Sequence, residues 1–180
     1  MNCENVCYKF TGVSLIDFTK LKALLFDFDG VLTDNKVYVD ENGKETVRCN
    51  RSDGMAFEVF RKLGLPVFIV SKETNKVVAA RAAKLHVPVL QSVDHKLEAV
   101  SELAKKQGFA MSEILFVGND LNDLDVMSAS GTSACPSDSH PRILKIATYV
   151  LESRGGDGVA REVAEKLLDI DIAEVLRSRT

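Results

Sequence analysis

Two carboxylates one residue apart, in Asp27-Phe28-Asp29, close a short apolar run and are followed at once by Gly30. Ser71 ends a second apolar run, Lys96 opens a stretch of helical spacing, and Gly118-Asn119-Asp120-Leu121-Asn122-Asp123 follows a third run. Taken singly, each has a plain structural use: an Asp-x-Asp turn, a serine helix cap, a solvated lysine, an acidic loop. Together they are the parts that hydrolysis of a phosphate monoester requires. Such an ester is anionic, so its cleavage needs screening positive charge, an in-line nucleophile and a proton for the leaving alkoxide. Asp27 is the candidate nucleophile, forming a mixed anhydride that water then hydrolyses. Asp29 is placed to protonate the leaving oxygen and later to deprotonate the attacking water. Ser71 would donate to phosphoryl oxygens and Lys96 would neutralise their charge, while Gly30 lets backbone amides approach the phosphate. Magnesium prefers hard oxygen ligands and keeps several waters. Asp27, Asp29 through its backbone carbonyl, and a side chain from Asn119, Asp120 or Asp123 form the candidate ligand set.

These residues gain meaning from the elements that carry them. Lys22 to Phe26 is short and apolar and stops abruptly in Asp-Phe-Asp-Gly, as a buried parallel strand does. Lys36 to Val39 and Thr46 to Cys49 flank Asn42-Gly43, a hairpin signal. Thereafter helical and strand-like segments alternate: a helix over 54–63, a strand over 66–70, a helix over 75–85, a strand over 87–90 and a helix over 95–107. A strand over 114–117, a helix from about 121 to 128, strands over 132–135 and 149–151 and a helix from Val159 complete the pattern, with only a turn between the last two strands. Alternation of this kind predicts βαβ units in a doubly wound α/β sheet, with ligands beyond the carboxyl ends of its strands. Asp27, Asp29, Ser71 and the 118–123 loop all fall at such ends, and Lys96 opens a helix beside them.

Composition sets bounds. The 180 residues, 46% hydrophobic and 27% charged, suit one domain over 21–180 behind a weakly patterned arm over 1–20, helical from Leu15 to Lys20. A net charge of −3 gives no reason to expect a nucleic-acid partner. Cysteines 3, 7, 49 and 135 show no zinc-ligand spacing, and free thiols of a reducing compartment are expected. No run has the length of a membrane span, and the N-terminus lacks the basic and apolar regions of a signal peptide, so a cytoplasmic location is expected.

The four motifs Asp27-Phe28-Asp29-Gly30-Val31, Ser71, Lys96 and Gly118 to Asp123 resemble those of the haloacid dehalogenase superfamily. Within it the chain resembles the capless phosphatases of 2-keto-3-deoxy sugar acid phosphates, which act on octulosonate 8-phosphate or nonulosonate (KDN, N-acylneuraminate) 9-phosphates. That likeness rests on Gly30-Val31-Leu32-Thr33-Asp34, the hairpin, Asn50-Arg51-Ser52-Asp53-Gly54 and the glycine-rich stretch from Arg154 to Glu162. The C-terminal module of some CMP-sialic acid synthetases is similar too. The resemblance implies a Rossmann-like sheet, a magnesium cofactor, a sugar acid phosphate as substrate, and a homotetramer. In such a tetramer neighbouring subunits cover the site and the glycine-rich loop reaches an active site. It also implies substrate contacts from Gly30, Arg51, Asp53, Glu73, Lys84 and Arg154. The spacing agrees that no cap domain fits, since only a hairpin lies between Asp34 and Gly54 and one βα unit between Ser71 and Lys96.

Two departures carry information. Gly118-Asn119 stands where the family has Gly-Asp, which removes one ligand charge; Asp120 could compensate, with Asp123 behind the ligands. Lys72-Glu73-Thr74 stands where octulosonate phosphatases carry Gly-Arg-Lys. Glu73 with Lys84, and Asp157 in the glycine-rich loop, match the nonulosonate type and favour a nine-carbon acid. Two other classes remain: a catalytically weak oligomerisation module, against which both aspartates argue, and a phosphoacceptor receiver domain. A receiver would carry its phosphorylated aspartate at the third strand, where this chain has Ser71.

Overall fold

The computed structural model describes residue 16 and residues 20–178. The helix expected over 15–20 and Cys3 and Cys7 fall largely or wholly outside that range. Strand β1 (Ala23–Phe26) has every residue buried, so both faces of the sheet must be covered. Its side chains alternate between two cores. Leu24 and Phe26 join Ile69, Leu115 and Val117 on one face, whereas Ala23 and Leu25 join Phe68, Val70, Ile114 and Phe116 on the other.

Six parallel strands form the sheet, in the order β5-β4-β1-β6-β7-β8. They are β4 (Val67–Val70), β5 (Val89–Leu90), β6 (Ile114–Val117), β7 (Thr132–Cys135) and β8 (Tyr149–Val150) besides β1. The chain runs from β1 outward to β4 and β5, then returns to β6 on the other side of β1. The crevice at that reversal lies between the ends of β1 and β6, where Phe26 pairs with Val117. The expected doubly wound α/β sheet is therefore present, with no cap domain among the described residues. The hairpin forms a separate antiparallel pair, β2 (Thr33–Val39) and β3 (Glu45–Cys49), irregular between Thr33 and Val37.

Helices α1 (Ser52–Lys62), α2 (Lys76–Leu85), α3 (Lys96–Gln107) and α4 (Leu124–Ala129) follow the expected pattern, the last entered by a 3₁₀ turn over Leu121–Asp123. Asn75 caps α2 by accepting from the Val77 amide at 3.0 Å. Phe57 of α1 meets Phe26 edge-on at 5.4 Å, fixing that helix over the central strand. Two expectations are corrected. The segment read as a turn contains α5 (Pro141–Ile146), with His140 as cap and proline in the first turn. The last helix is not continuous: α6 (Val159–Glu162) passes into a π turn over Val163–Leu167, and α7 (Ile172–Arg177) restarts beyond Asp169. The restart has its own cap, since Asp171 accepts from the Glu174 amide at 2.9 Å. No helix among the described residues is long and apolar enough to cross a membrane.

Asp53 of α1 is 1% exposed and accepts from the Arg161 amide of α6 at 3.2 Å, while its second oxygen has no partner among the described residues. Burial pushes its carboxyl from 3.8 up to about 6, against hydrogen bonds from the Arg161 and Ala160 amides. The folded chain thus holds this proton after the unfolded chain has lost it, so stability falls as pH rises between those two values. At neutral pH the ionised group costs the fold up to about 3 kcal/mol. Asp53→Asn keeps the acceptor and removes the charge. Urea unfolding should therefore show the variant gaining on the wild type as pH rises from about 4 to 6, and a constant difference would contradict this origin.

Candidate active site

Asp27 follows β1 directly, and its amide donates to the Val117 carbonyl at 2.8 Å, so the strand's pairing extends to this candidate residue itself. Its side chain is buried. Oδ1 accepts from the Phe28 amide at 2.7 Å and lies 2.7 Å from Lys96 Nζ. The same lysine, 3% exposed at the start of α3, reaches Asp123 Oδ1 at 2.6 Å. One buried cation therefore joins two buried carboxylates. Burial and the charge of Asp123 push Asp27 up, and Lys96 opposes them. For Lys96, burial acts downward but Asp27 and Asp123 outweigh it, holding the ammonium form.

Asp29 sits lower in the turn, half-buried. Burial and then Glu73 raise its carboxyl above the ordinary value, partly offset by the Thr33 hydroxyl, which donates to Oδ1 at 3.3 Å. A raised carboxyl at a cavity mouth suits proton donation. Thr33 also accepts from the Gly30 amide at 3.2 Å, so one buried hydroxyl both closes the turn and aims Asp29. Thr33 is not among the residues that the motifs mark, although it stands in the Gly30-Val31-Leu32-Thr33-Asp34 run; the signal in the sequence is a hydroxyl four residues after Asp29. Gly30 has φ of 79°, and a Cβ there would lie 1.9 Å from the Asn119 amide nitrogen. The positive φ and the close contact with Asn119 both favour glycine here.

Ser71 ends β4, buried, with its hydroxyl accepting from the Glu73 amide at 3.1 Å and its proton left to give. Asp27, Asp29, Asn35, Ser71, Lys72, Glu73, Asn119, Asp120 and Asn122 line one cavity of about 160 Å³. A second cavity of about 240 Å³ shares Asp29, Asn35 and Glu73 with it and extends along the hairpin past Glu45, Val47 and Asn75.

Three proposed metal ligands converge and two do not. The Asn119 side-chain amide ends 2.9 Å from the Asp29 carbonyl oxygen and 3.3 Å from Asp27 Oδ2. With its oxygen inward, three oxygens face one another with no hydrogen between them, an arrangement that a hard cation satisfies. One carboxylate, one carbonyl and one amide fit magnesium with room for water and phosphate ligands. Asp120 is exposed at the rim, where it accepts from the Leu121 amide at 2.7 Å. Asp123 is corrected as a ligand. Its oxygens are taken by Lys96 and by the amides of Asn119 at 2.9 Å and Asp120 at 3.3 Å. It organises the loop from behind, packed so close that a Cβ on Gly118 would lie 2.7 Å from its own.

The remaining expected contacts lie apart from this tip. Arg51 and Lys84 line a cationic groove of about 510 Å³ between α1 and α2, with Arg61, Arg81 and His86. Glu73 and Lys84 thus face different cavities. Asp53 is sealed between α1 and α6. Arg154 pairs with Asp138 at 3.3 Å. The glycine-rich loop packs on its own chain, where the Gly156 amide donates to Val31 at 3.0 Å and a Cβ on Gly155 would lie 2.2 Å from the Gly30 carbonyl.

The family profile of the haloacid dehalogenase-like hydrolases matches residues 67–163. This chain belongs to the haloacid dehalogenase-like hydrolases. Among similar proteins, the 3-deoxy-D-manno-octulosonate 8-phosphate phosphatase of Escherichia coli (strain K12) is 36% identical over 149 residues, spanning 82% of this chain and 79% of that one. The phosphatase of the same name from Yersinia pestis superposes with a TM-score of 0.82 at 29% identity, covering 91% of this chain and 88% of that one. The one from Moraxella catarrhalis, in complex with magnesium ion, phosphate ion and KDO, gives 0.79 at 26% identity, over 88% of this chain and 90% of that one. The oxygen donors at the tip of β1 in this chain are of the hard type that suits a magnesium ion.

The lysine bridge makes a stability prediction. Lys96→Met strands two buried carboxylates side by side and should cost about 3–5 kcal/mol. Adding Asp123→Asn removes one of the stranded charges, so urea unfolding of the double variant should show a loss smaller than the sum of the single losses by about 1 kcal/mol or more. Strict additivity would mean that Lys96 does not hold the two acids together.

Proposed function

We propose that this protein hydrolyses the phosphate monoester of a 2-keto-3-deoxy sugar acid through a phosphoaspartyl group on Asp27. The observation that carries the reading is the strand tip itself: a lysine-bound carboxylate, a raised carboxyl, a free hydroxyl proton and a set of cation ligands around one small cavity. Asp27, the Asp29 carbonyl and Asn119 would hold a magnesium ion, which would supply charge neutralisation for the phosphoryl oxygens. The carboxylate of Asp27 forms a bond to phosphorus as the ester oxygen leaves with the electron pair of the broken bond. Asp29 gives its proton to that alkoxide. Water then attacks phosphorus, Asp29 takes a proton back, and Asp27 is released as a carboxylate with inorganic phosphate. Ser71 and Lys96 hold the phosphoryl group in line throughout.

The substrate is a small sugar acid phosphate, of the kind named for the Escherichia coli relative. Glu73 favours the nine-carbon acids over octulosonate, since it faces the cavity where an arginine would otherwise meet a carboxylate. The acid-lined extension past Glu45 and Glu73 suits the hydroxyl-rich part of such a molecule. The substrate carboxylate is then left for cations outside that extension. A homotetramer in the cytoplasm fits the same picture. Val37, Tyr38 and Val39 are 54%, 65% and 60% exposed on the hairpin, an apolar strip suited to neighbouring copies, and no cap domain covers the mouth among the described residues.

Phosphate release should be fastest with nonulosonate 9-phosphates, measurable with octulosonate 8-phosphate, and absent for Asp27→Asn. Asp29→Asn should lose about 10²–10⁴-fold in kcat. Full activity of the Asp27 variant would overturn the mechanism, and preference for octulosonate 8-phosphate would overturn the nine-carbon assignment.

A further inference from the structure

Asn119 occupies the one ligand position where an amide replaces a carboxylate, and its surroundings give that difference a consequence. Its main chain is pinned at both ends. The amide donates to Asp123 Oδ2 at 2.9 Å and the carbonyl accepts from the His140 amide at 2.9 Å. Only the side-chain amide is free to choose, by a half-turn about Cβ–Cγ that exchanges oxygen and nitrogen with little change of shape. The inward atom lies 2.9 Å from the Asp29 carbonyl oxygen and 3.3 Å from Asp27 Oδ2. Both are acceptors. Oxygen inward makes a cation site that needs its ion. Nitrogen inward makes two hydrogen bonds to the other two ligands and needs nothing.

We propose that Asn119 is a latch on the metal site, closing it by hydrogen bonds to Asp27 and Asp29 when the ion is absent and turning its oxygen inward to ligate when magnesium binds. This rests on the magnesium-dependent reading above. An aspartate at the same place cannot donate unless protonated, and would set a further negative charge against Asp27, which Asp123 already crowds. The amide therefore stabilises the empty site and weakens the filled one, because the ion must displace two hydrogen bonds and gains no ligand charge. Gly30 is part of the device. The amide lies where a side chain at residue 30 would stand, so its half-turn takes place over bare backbone. The consequence is a phosphatase whose metal comes and goes without leaving facing oxygens exposed to one another.

The test compares wild type, Asn119→Asp and Asp27→Asn by calorimetric magnesium titration and by thermal unfolding in EDTA and in saturating magnesium. Wild type should bind magnesium, and Asp27→Asn should not; a wild type that binds none, or an Asp27→Asn that binds equally well, sinks the magnesium reading and the latch with it. Given that binding, Asn119→Asp should bind about tenfold or more tightly. It should also melt about 2–4 °C or more below wild type in EDTA, with a larger rise on adding magnesium. Equal affinity, or an equal melting temperature in EDTA, overturns the latch while leaving the metal site standing. Should Asn119→Asp fail to fold, the wild type decides by NMR, with the side-chain ¹⁵N–¹H₂ pair of Asn119 assigned by its loss in Asn119→Ser. A magnesium-dependent change in that pair supports the turn, and an unmoved pair overturns it.

Discussion

A buried lysine between two buried carboxylates is the constraint on which the rest of this molecule turns. Desolvating Asp27 and Asp123 beside each other is unfavourable, and Lys96, 2.7 Å from one and 2.6 Å from the other, makes it tolerable. The bridge ties the end of β1 to the loop after β6 and to the first residue of α3. Those three elements meet only at the reversal of the sheet. Charge balance at the tip still favours more positive charge, since burial and Asp123 raise Asp27 despite the lysine. A site that holds a buried carboxylate in such a state is prepared for a cation and suited to a dianionic phosphoryl group.

Around this bridge the loops are stacked with very little space between them. Gly30 lies against Asn119, Gly118 against Asp123, and Gly155 and Gly156 against the Gly30 carbonyl and Thr33. In each case a methyl group would collide with an atom that the site uses or with the backbone beneath it. The turn after β1 is consequently clamped between the 118–123 loop on one side and the 154–158 loop on the other. α6, anchored to Asp53, extends the clamp to α1. Rigidity of this kind favours positioning of a reacting phosphoryl group without a closing domain.

Much of this was legible because function here sits at strand ends. Apolar runs that stop at Asp27, Ser71 and Gly118 announce both a parallel strand and the edge that faces a ligand, so the order of the motifs along the chain already placed them together. What periodicity could not supply was direction. Nothing in the spacing says that Asp123 turns behind Lys96, that Lys84 faces a groove away from Glu73, or that Asp53 is sealed against α6. Those outcomes depend on helix rotation and tertiary packing. The missed α5 is one and a half turns long, below the length at which a hydrophobic period can be read, though His140-Pro141 carried a capping signal. The break in the last helix was written in Asp169-Ile170-Asp171, where an aspartate cap restarts the chain. Thr33 was hidden by its quietness, a threonine in an apolar run with no charge to mark it.

The two cavities at the tip and along the hairpin are lined by carboxylates and amides, whereas Arg51, Arg61, Arg81 and Lys84 gather in the groove between α1 and α2. An oxyanion free to choose by charge alone would take the groove; one recognised as a phosphoryl group in transfer takes the tip. A crystal grown with magnesium and orthovanadate separates these directly. Vanadium should be bonded to a carboxylate oxygen of Asp27, with the ion between Asp27, the Asp29 carbonyl and Asn119, and Ser71 and Lys96 on the equatorial oxygens. Vanadate in the cationic groove with nothing bound at the tip of β1 would contradict it.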